Sequence, residues 1–335
     1  MTPPADHPVI APPKVGILLT NLGTPDAPDA KAVRRYLAEF LSDPRVIEIP
    51  KIAWQPILHG IVLRTRPKKS AHAYAQVWSE EGSPLAAITA RQAKALQARL
   101  GDSVIVDYAM RYGNPAIRQA IDRLFAAGAT RILVAPLYPQ YCAATTASAL
   151  DATFAAIAAQ RWQPALRTLP PYHDDPHYIA ALKGDLERQL AALDFTPERL
   201  LLSFHGMPKR TLQLGDPYHC HCRKTARLLG EAMTIPVDVA FQSRFGPAKW
   251  LEPATDDTLK AYPAAGVTKV AIAAPGFSAD CLETIEELGI RGHEDFVAAG
   301  GTHFARLDCL NDSDAGMAML DALVRRELAG WWPAA

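Results

Sequence analysis

His205 closes an apolar run, Leu200-Leu201-Leu202-Ser203-Phe204, and Gly206 follows at once, so the backbone can turn close to a ligand. A histidine so placed is either a hydrogen-bonding part of the scaffold or a proton acceptor and metal ligand near neutral pH, and a strand end favours the second. Further on, Pro275 to Leu288 carries four carboxylates, Asp280, Glu283, Glu286 and Glu287. One reading is a capped helix, with Asp280 as N-cap and Glu283 completing an approximate capping box. The other notes that Glu283 and Glu287 stand four apart on one helical face, where the pair could hold a divalent cation or take up protons.

Three further strings could do chemistry. His219-Cys220-His221-Cys222 packs four metal-ligand types together. Adjacent ligands do not match the separated CxxC pairs of a zinc site, so the expectation is a loop with surface thiols. Phe241 to Leu251 mixes cations with aromatics (Arg244, Phe245, Lys249, Trp250) and is either a loop packed on the core or one wall of a pocket for a flat aromatic ligand. Arg64, Arg66, Lys68 and Lys69 form a solvated face that would also suit the carboxylate arms of a ligand.

The elements that must position these residues come in two rough copies. Leu18-Leu19-Thr20-Asn21-Leu22-Gly23-Thr24-Pro25 has the shape of Leu201-Leu202-Ser203-Phe204-His205-Gly206-Met207-Pro208, with leucine where the second copy has His205. Gly128 to Pro136 likewise matches Gly266 to Pro275. Such apolar runs, cut off by Gly or Pro, read as strands buried on both faces. Strands are predicted at 15–20, 104–109, 132–137, 200–204, 237–241 and 270–274. Helices are predicted at 30–41, 222–233, 255–262, 280–288 and 314–328, with others beginning near Pro115 and Thr145. Alternating strands and helices predict two α/β halves with parallel sheets, and ligands beyond the carboxyl ends of the strands.

Composition narrows the classes. The 335 residues suit two domains, and 49% hydrophobic content is ample for two buried cores. Zero formal net charge argues against a general nucleic-acid binder. No apolar run reaches transmembrane length, and no GxGxxG or GxxxxGK[ST] string marks a dinucleotide or P-loop enzyme. The Pro-rich stretch 1–13 reads as a disordered arm and lacks the pattern of a secretory signal. Five cysteines, an odd number, read as free thiols of a reducing cytoplasm.

Taken together, the strings resemble the ferrochelatase family. The matching motifs are Asn21-Leu22-Gly23-Thr24-Pro25, Met110-Arg111-Tyr112, Tyr138-Pro139-Gln140-Tyr141 and Ser203-Phe204-His205-Gly206. Gly215-Asp216-Pro217-Tyr218, Phe241-Gln242-Ser243-Arg244 with Gly246-Pro247, and Pro275 through Glu287 complete the series. The resemblance implies two flavodoxin-like (Rossmann-like) halves around a porphyrin cleft, a chelatase-like fold. The halves would be 14–172, with a pocket-forming insertion at about 45–90, and 173–312; residues 313–335 would pack back on the body as a helix.

The implied reaction inserts ferrous iron into protoporphyrin IX, the last step of haem biosynthesis. The resemblance makes His205 and Glu283 the catalytic and metal-handling pair and Glu287 an acidic relay. Leu22, Arg64, Tyr74, Arg111 and Tyr141 would contact the porphyrin. A free-base porphyrin must lose two pyrrole protons before metal can enter, and imidazole and carboxylate accept protons near neutral pH. Iron must also arrive weakly held by nitrogen and oxygen ligands. No resident cofactor is expected: relatives with an iron–sulfur cluster hold it mainly through cysteines of a C-terminal extension, and this chain has none after Cys309. Cys281 stands where some relatives have histidine, which weakens any metal-relay role there. Coproporphyrin or a cobalt-accepting tetrapyrrole as substrate, or a non-catalytic porphyrin carrier, are the alternatives; a carrier would not need both His205 and Glu283. A monomer or homodimer in the cytoplasm is expected, with weak contact to the inner membrane face for which the sequence offers no amphipathic anchor.

Overall fold

The computed structural model describes residue 6, residues 13–246 and residues 248–332. Apart from Asp6 and Pro13, the arm expected at 1–13 lies outside the described residues.

The chain builds two four-stranded parallel sheets of identical topology. Strands β1 (Lys14–Thr24), β2 (Val104–Gly113), β3 (Ala129–Pro136) and β4 (Ala165–Thr168) are ordered β2-β1-β3-β4. Strands β5 (Arg199–His205), β6 (Val237–Gln242), β7 (Lys269–Ala273) and β8 (His303–Arg306) repeat that order as β6-β5-β7-β8. The helices between them are α1 (Ala30–Phe40), α2 (Lys51–Ile57), α3 (Leu63–Val77), α4 (Pro84–Leu100), α5 (Ile117–Ala126), α6 (Ser148–Ala158) and α7 (Pro176–Ala191). The second half adds α8 (Lys209–Gln213), α9 (Tyr218–Ala232), α10 (Thr255–Ala261), α11 (Gly292–Ala298) and α12 (Asp314–Glu327).

Side-chain alternation along the strands explains how the halves are joined. Ile17 and Leu19 of β1, Leu133 of β3, Leu200, Leu202 and Phe204 of β5, and Ala271 and Ala273 of β7 enter one cluster. Helices α4, α7, α9 and α12 supply Leu96, Tyr178, Leu229 and Leu323 to the same cluster. The alternate residues face outward: Leu18, Ile132 and Val134 pack with α5 and α6, and Leu201, Val270 and Ile272 with α10 and α11. Each half thus keeps a core of its own on its outer face, beside a third and larger one. The largest core is common to both sheets, because four helices from both halves fill the space between them.

Short or broken elements were not predicted. Strands β4 and β8 are four-residue edges. The insertion is helical despite Pro56 inside α2 and Pro67 inside α3, with a π-helical turn at Leu58–Val62 between them. Such a turn relaxes the i→i−4 ladder that proline interrupts. The two halves also share a feature the sequence does not announce: a π-helical segment follows β3 at Ala143–Ala147 and β7 at Glu283–Arg291.

Candidate active site

In each sheet the chain passes from its first strand to a neighbour on one side, then crosses to the other. The crevice opened at that reversal lies at the carboxyl ends of β1 and β3, and of β5 and β7. His205 is the last residue of β5, and the acidic segment leaves β7 beside it. The imidazole Nδ1 lies 2.7 Å from the Gly206 carbonyl. A carbonyl only accepts, so Nδ1 carries the proton, and in the neutral ring Nε2 is the acceptor nitrogen. The Tyr218 hydroxyl donates to the His205 carbonyl at 3.0 Å and pins the backbone. Gly206 is required here: a Cβ would stand 2.4 Å from the Gln242 carbonyl oxygen, which accepts from the Gly206 N–H at 2.7 Å.

Asp280 does not cap the helix, which corrects the capping-box reading. Its carboxylate is buried and accepts from the Thr284 hydroxyl (2.7 Å), the Asn311 amide (2.7 Å) and Arg306 (2.8 Å). Those partners tie the segment to β8 and the loop after it. Helical residues begin at Leu282 without a side-chain cap, and the π-helical stretch starts at Glu283. A π-turn at a ligand-facing position is a common mark of a functional site.

Glu283 and Glu287 interact with each other but face different neighbours. Around Glu283 stand two tyrosines of the first half and one thiol. Burial, then the Glu283 charge, push the Tyr74 hydroxyl well above its ordinary value; Tyr36 is raised by burial, Tyr74 and then Glu283. The Cys281 thiol is likewise raised, by burial first and Glu283 second. Glu287 looks the other way. Its carboxylate accepts the Ser243 backbone N–H at 2.8 Å and the Ser243 hydroxyl at 2.5 Å. Burial pushes its pKa up, while Ser243, the His205 imidazole and Arg291 pull it back. Glu287 thus feels the His205 imidazole, and Glu283, earlier in the same segment, stands against the first half.

The remaining candidates divide. Half-buried Leu22 packs with Leu85 and Ile88 of α4 and with Phe277, Ala279 and Cys281 of the second half, so it lies at the cleft. The adjoining Gly23, at φ +112°, lets β1 approach β2 where a Cβ would overlap the Tyr112 carbonyl. Tyr74 is only 6% exposed and stands behind Glu283. Arg111 is spent on a buried partner: its guanidinium donates to Asp43 at 2.6 Å and to the Ser148 hydroxyl at 2.6 Å. Tyr141 is half-buried, and its N–H donates to His221 Nδ1 at 3.2 Å. Arg64 is exposed on α3.

His219-Cys220-His221-Cys222 is the first turn of α9 rather than a loop, a correction. Cys220 alone is exposed, Cys222 is buried, and the His221 ring stacks on His173 at 3.6 Å. Several important partners had no signal of their own. Ser243 owes its place to a left-handed backbone (φ +64°), and Asp43 reaches Arg111 across 68 positions of sequence.

This arrangement offers proton acceptors at His205 Nε2 and at the two carboxylates. Solved structures with the same fold include SirB from Bacillus subtilis with Fe3+, 14% identical, with a TM-score of 0.57 over 95% of this chain and 97% of that one. DR2241 from Deinococcus radiodurans, described as a multi-domain protein with structural similarity to chelatases, gives a TM-score of 0.51 at 13% identity over 92% of this chain and 54% of that one. Duplicated halves of this topology have the two-half α/β fold of chelatases. The ferrochelatase family profile matches residues 14–328, and the chain belongs to that family. It is 53% identical to the ferrochelatase of Rhizobium meliloti, over 97% of this chain and 98% of that one. With the ferrochelatase of Methylibium petroleiphilum it shares 54% identity over 95% of this chain and 89% of that one. The protein is accordingly a lyase of haem synthesis.

Proposed function

We propose that the protein inserts ferrous iron into protoporphyrin IX and releases the two pyrrole protons. The observation that carries this reading is His205, proton fixed on Nδ1, at the same strand-end crevice as Glu283 and Glu287. His205 Nε2 accepts a pyrrole proton, Glu283 handles the metal, and Glu287 takes charge onward. Leu22 and Tyr141 line the macrocycle, with Arg64 available to a carboxylate arm. Tyr74 and Arg111 act from behind the wall, the first beside Glu283 and the second through Asp43 and Ser148.

No resident cofactor takes part in this reading.

The place of work in this reading is the cytoplasm, at the inner membrane face, with the protein a monomer or homodimer. The insertion carries exposed Ile49, Ile52, Ile57 and Ile61 among exposed Lys51, Arg64, Lys68 and Lys69. Ile52 is 89% and Ile61 60% exposed. Apolar side chains ringed by cations suit an anionic lipid surface.

The test is anaerobic mixing with protoporphyrin IX and ferrous iron, followed by visible absorption, with His205→Ala and coproporphyrin III in parallel. Catalytic conversion to the haem spectrum, lost in the variant, supports the reading and ranks the substrates. Tight porphyrin binding without turnover would make the protein a carrier. Cosedimentation with phosphatidylglycerol vesicles, reduced in Ile52→Glu, tests the membrane face; an unchanged soluble fraction removes it.

A further inference from the structure

The loop that leaves β6 touches Glu287 and the Gly206 turn that follows His205, and it is gripped from the opposite half. Ser243 opens it and closes on Glu287 with two hydrogen bonds. Phe245 stands at its tip, 46% exposed, with the Arg66 guanidinium of α3 over its ring at 4.0 Å. The loop returns through Trp250, whose indole N–H donates to the Phe245 carbonyl at 2.9 Å and whose ring lies 3.3 Å from the space a Gly206 Cβ would fill. A second contact joins the halves near the same loop, Arg210 to Glu48 at 3.7 Å. Among the described residues no carboxylate pairs with Arg66, so its hold on the Phe245 ring is the interaction that accounts for it.

We propose that Arg66, Phe245 and Ser243 form one positioning device for Glu287. Arg66 fixes the tip of the loop from across the cleft, and the fixed loop sets Ser243. Ser243 in turn holds the Glu287 carboxylate toward His205. Two left-handed residues, Ser243 at φ +64° and Gly246 at φ +70°, flank the tip and make the loop's path specific. The inference rests on Glu287 being a working group of the chelatase site, and the test separates the two ideas.

Ser243→Gly keeps the backbone N–H that reaches Glu287 and suits the positive φ, so it removes the side-chain hydroxymethyl group and its bond while leaving the backbone bond. It should lower kcat about tenfold with the porphyrin KM within about twofold, the pattern of a lost transition-state contact. Arg66→Gln and Phe245→Leu should each lower kcat by about threefold to tenfold, and Phe245→Tyr, which keeps the ring, should restore it. In a Glu287→Gln background all these changes should fall within about twofold. Effects that add in that background, or an unaltered kcat in Ser243→Gly, overturn the proposal. A Glu287→Gln protein with normal kcat overturns instead the reading of Glu287 on which it rests. Porphyrin fluorescence quenching by each variant confirms that the cleft still forms.

Discussion

Gln242 and Glu283 are joined by a hydrogen bond from the side-chain amide of the first to the backbone carbonyl of the second, 3.1 Å long. The same amide accepts the Ser203 hydroxyl through its oxygen at 2.9 Å, so one buried side chain ties β5, β6 and the start of the π-helical segment together. Gln242→Glu keeps the shape and replaces the donor by an acceptor facing a carbonyl. It should cost about 2 kcal/mol of stability, from the unmade bond and the buried charge. Urea unfolding measures the first effect, and a fall in kcat of about tenfold or more, read in the insertion assay, measures displacement of Glu283. A variant as stable and active as the parent would show that the bond does not place the acidic turn.

His205→Ala should reduce metal insertion by about a hundredfold or more, with far-UV circular dichroism and Tm unchanged. Glu283→Gln should slow insertion strongly while porphyrin binding stays near the parent value. Because Glu283 caps no helix end, a parallel collapse of binding would mean that its role is to shape the wall beside Tyr36 and Tyr74.

Gly206→Ala places a methyl group 2.4 Å from the Gln242 carbonyl oxygen and 3.3 Å from the Trp250 ring. The overlap involves backbone, so relief requires the ends of β5 and β6 to part. A stability cost of about 2 kcal/mol follows, with a larger proportional loss of activity, since His205 immediately precedes it. Calorimetry alongside the insertion assay checks this; full activity would show that the strand ends yield freely.

His173 is pushed down to about 4 from an ordinary 6.5, by burial first and by His221 second. A group kept neutral in the fold contributes stability that is whole above its unfolded value and drains away as pH falls through the folded one. The window is pH 6.5 down to about 4. His173→Phe keeps a ring to stack on His221 and removes the titration, so its stability should fall less steeply across that range in urea titrations. Equal slopes in the two proteins would assign the acid sensitivity elsewhere.

The long buried strands are legible because their residues are apolar on both faces, and the repeated strings alone expose the duplication. His205 is legible for the same reason: a polar residue ending an apolar run, followed by glycine. Tertiary partnership is not. The exposed face of the basic run around Arg64 reads from its charges, yet the helices that carry it contain prolines that normally end one. Arg111 reads as a pocket residue by resemblance, but its bonds to Asp43 and Ser148, neither of which is near in sequence, could not be read there. The separation of Glu283 from Glu287 arises where α1, α3 and the Ser243 loop converge, and no local spacing encodes that.

Helix α12 lies at the far end of the chain but packs against α7 and α4. Beyond it, Trp332 donates to the Ser103 hydroxyl at 2.8 Å, and Arg167 of β4 donates to the Glu327 and Ala329 carbonyls. Residues of the first half are thus covered by a segment synthesised well after them. At about 5–20 residues per second, the stretch from β4 to α12 takes from several seconds to roughly half a minute to synthesise. Until α12 is made, the apolar faces of α4 and α7 stand without this partner, so the core shared by the two sheets closes only after α12 emerges.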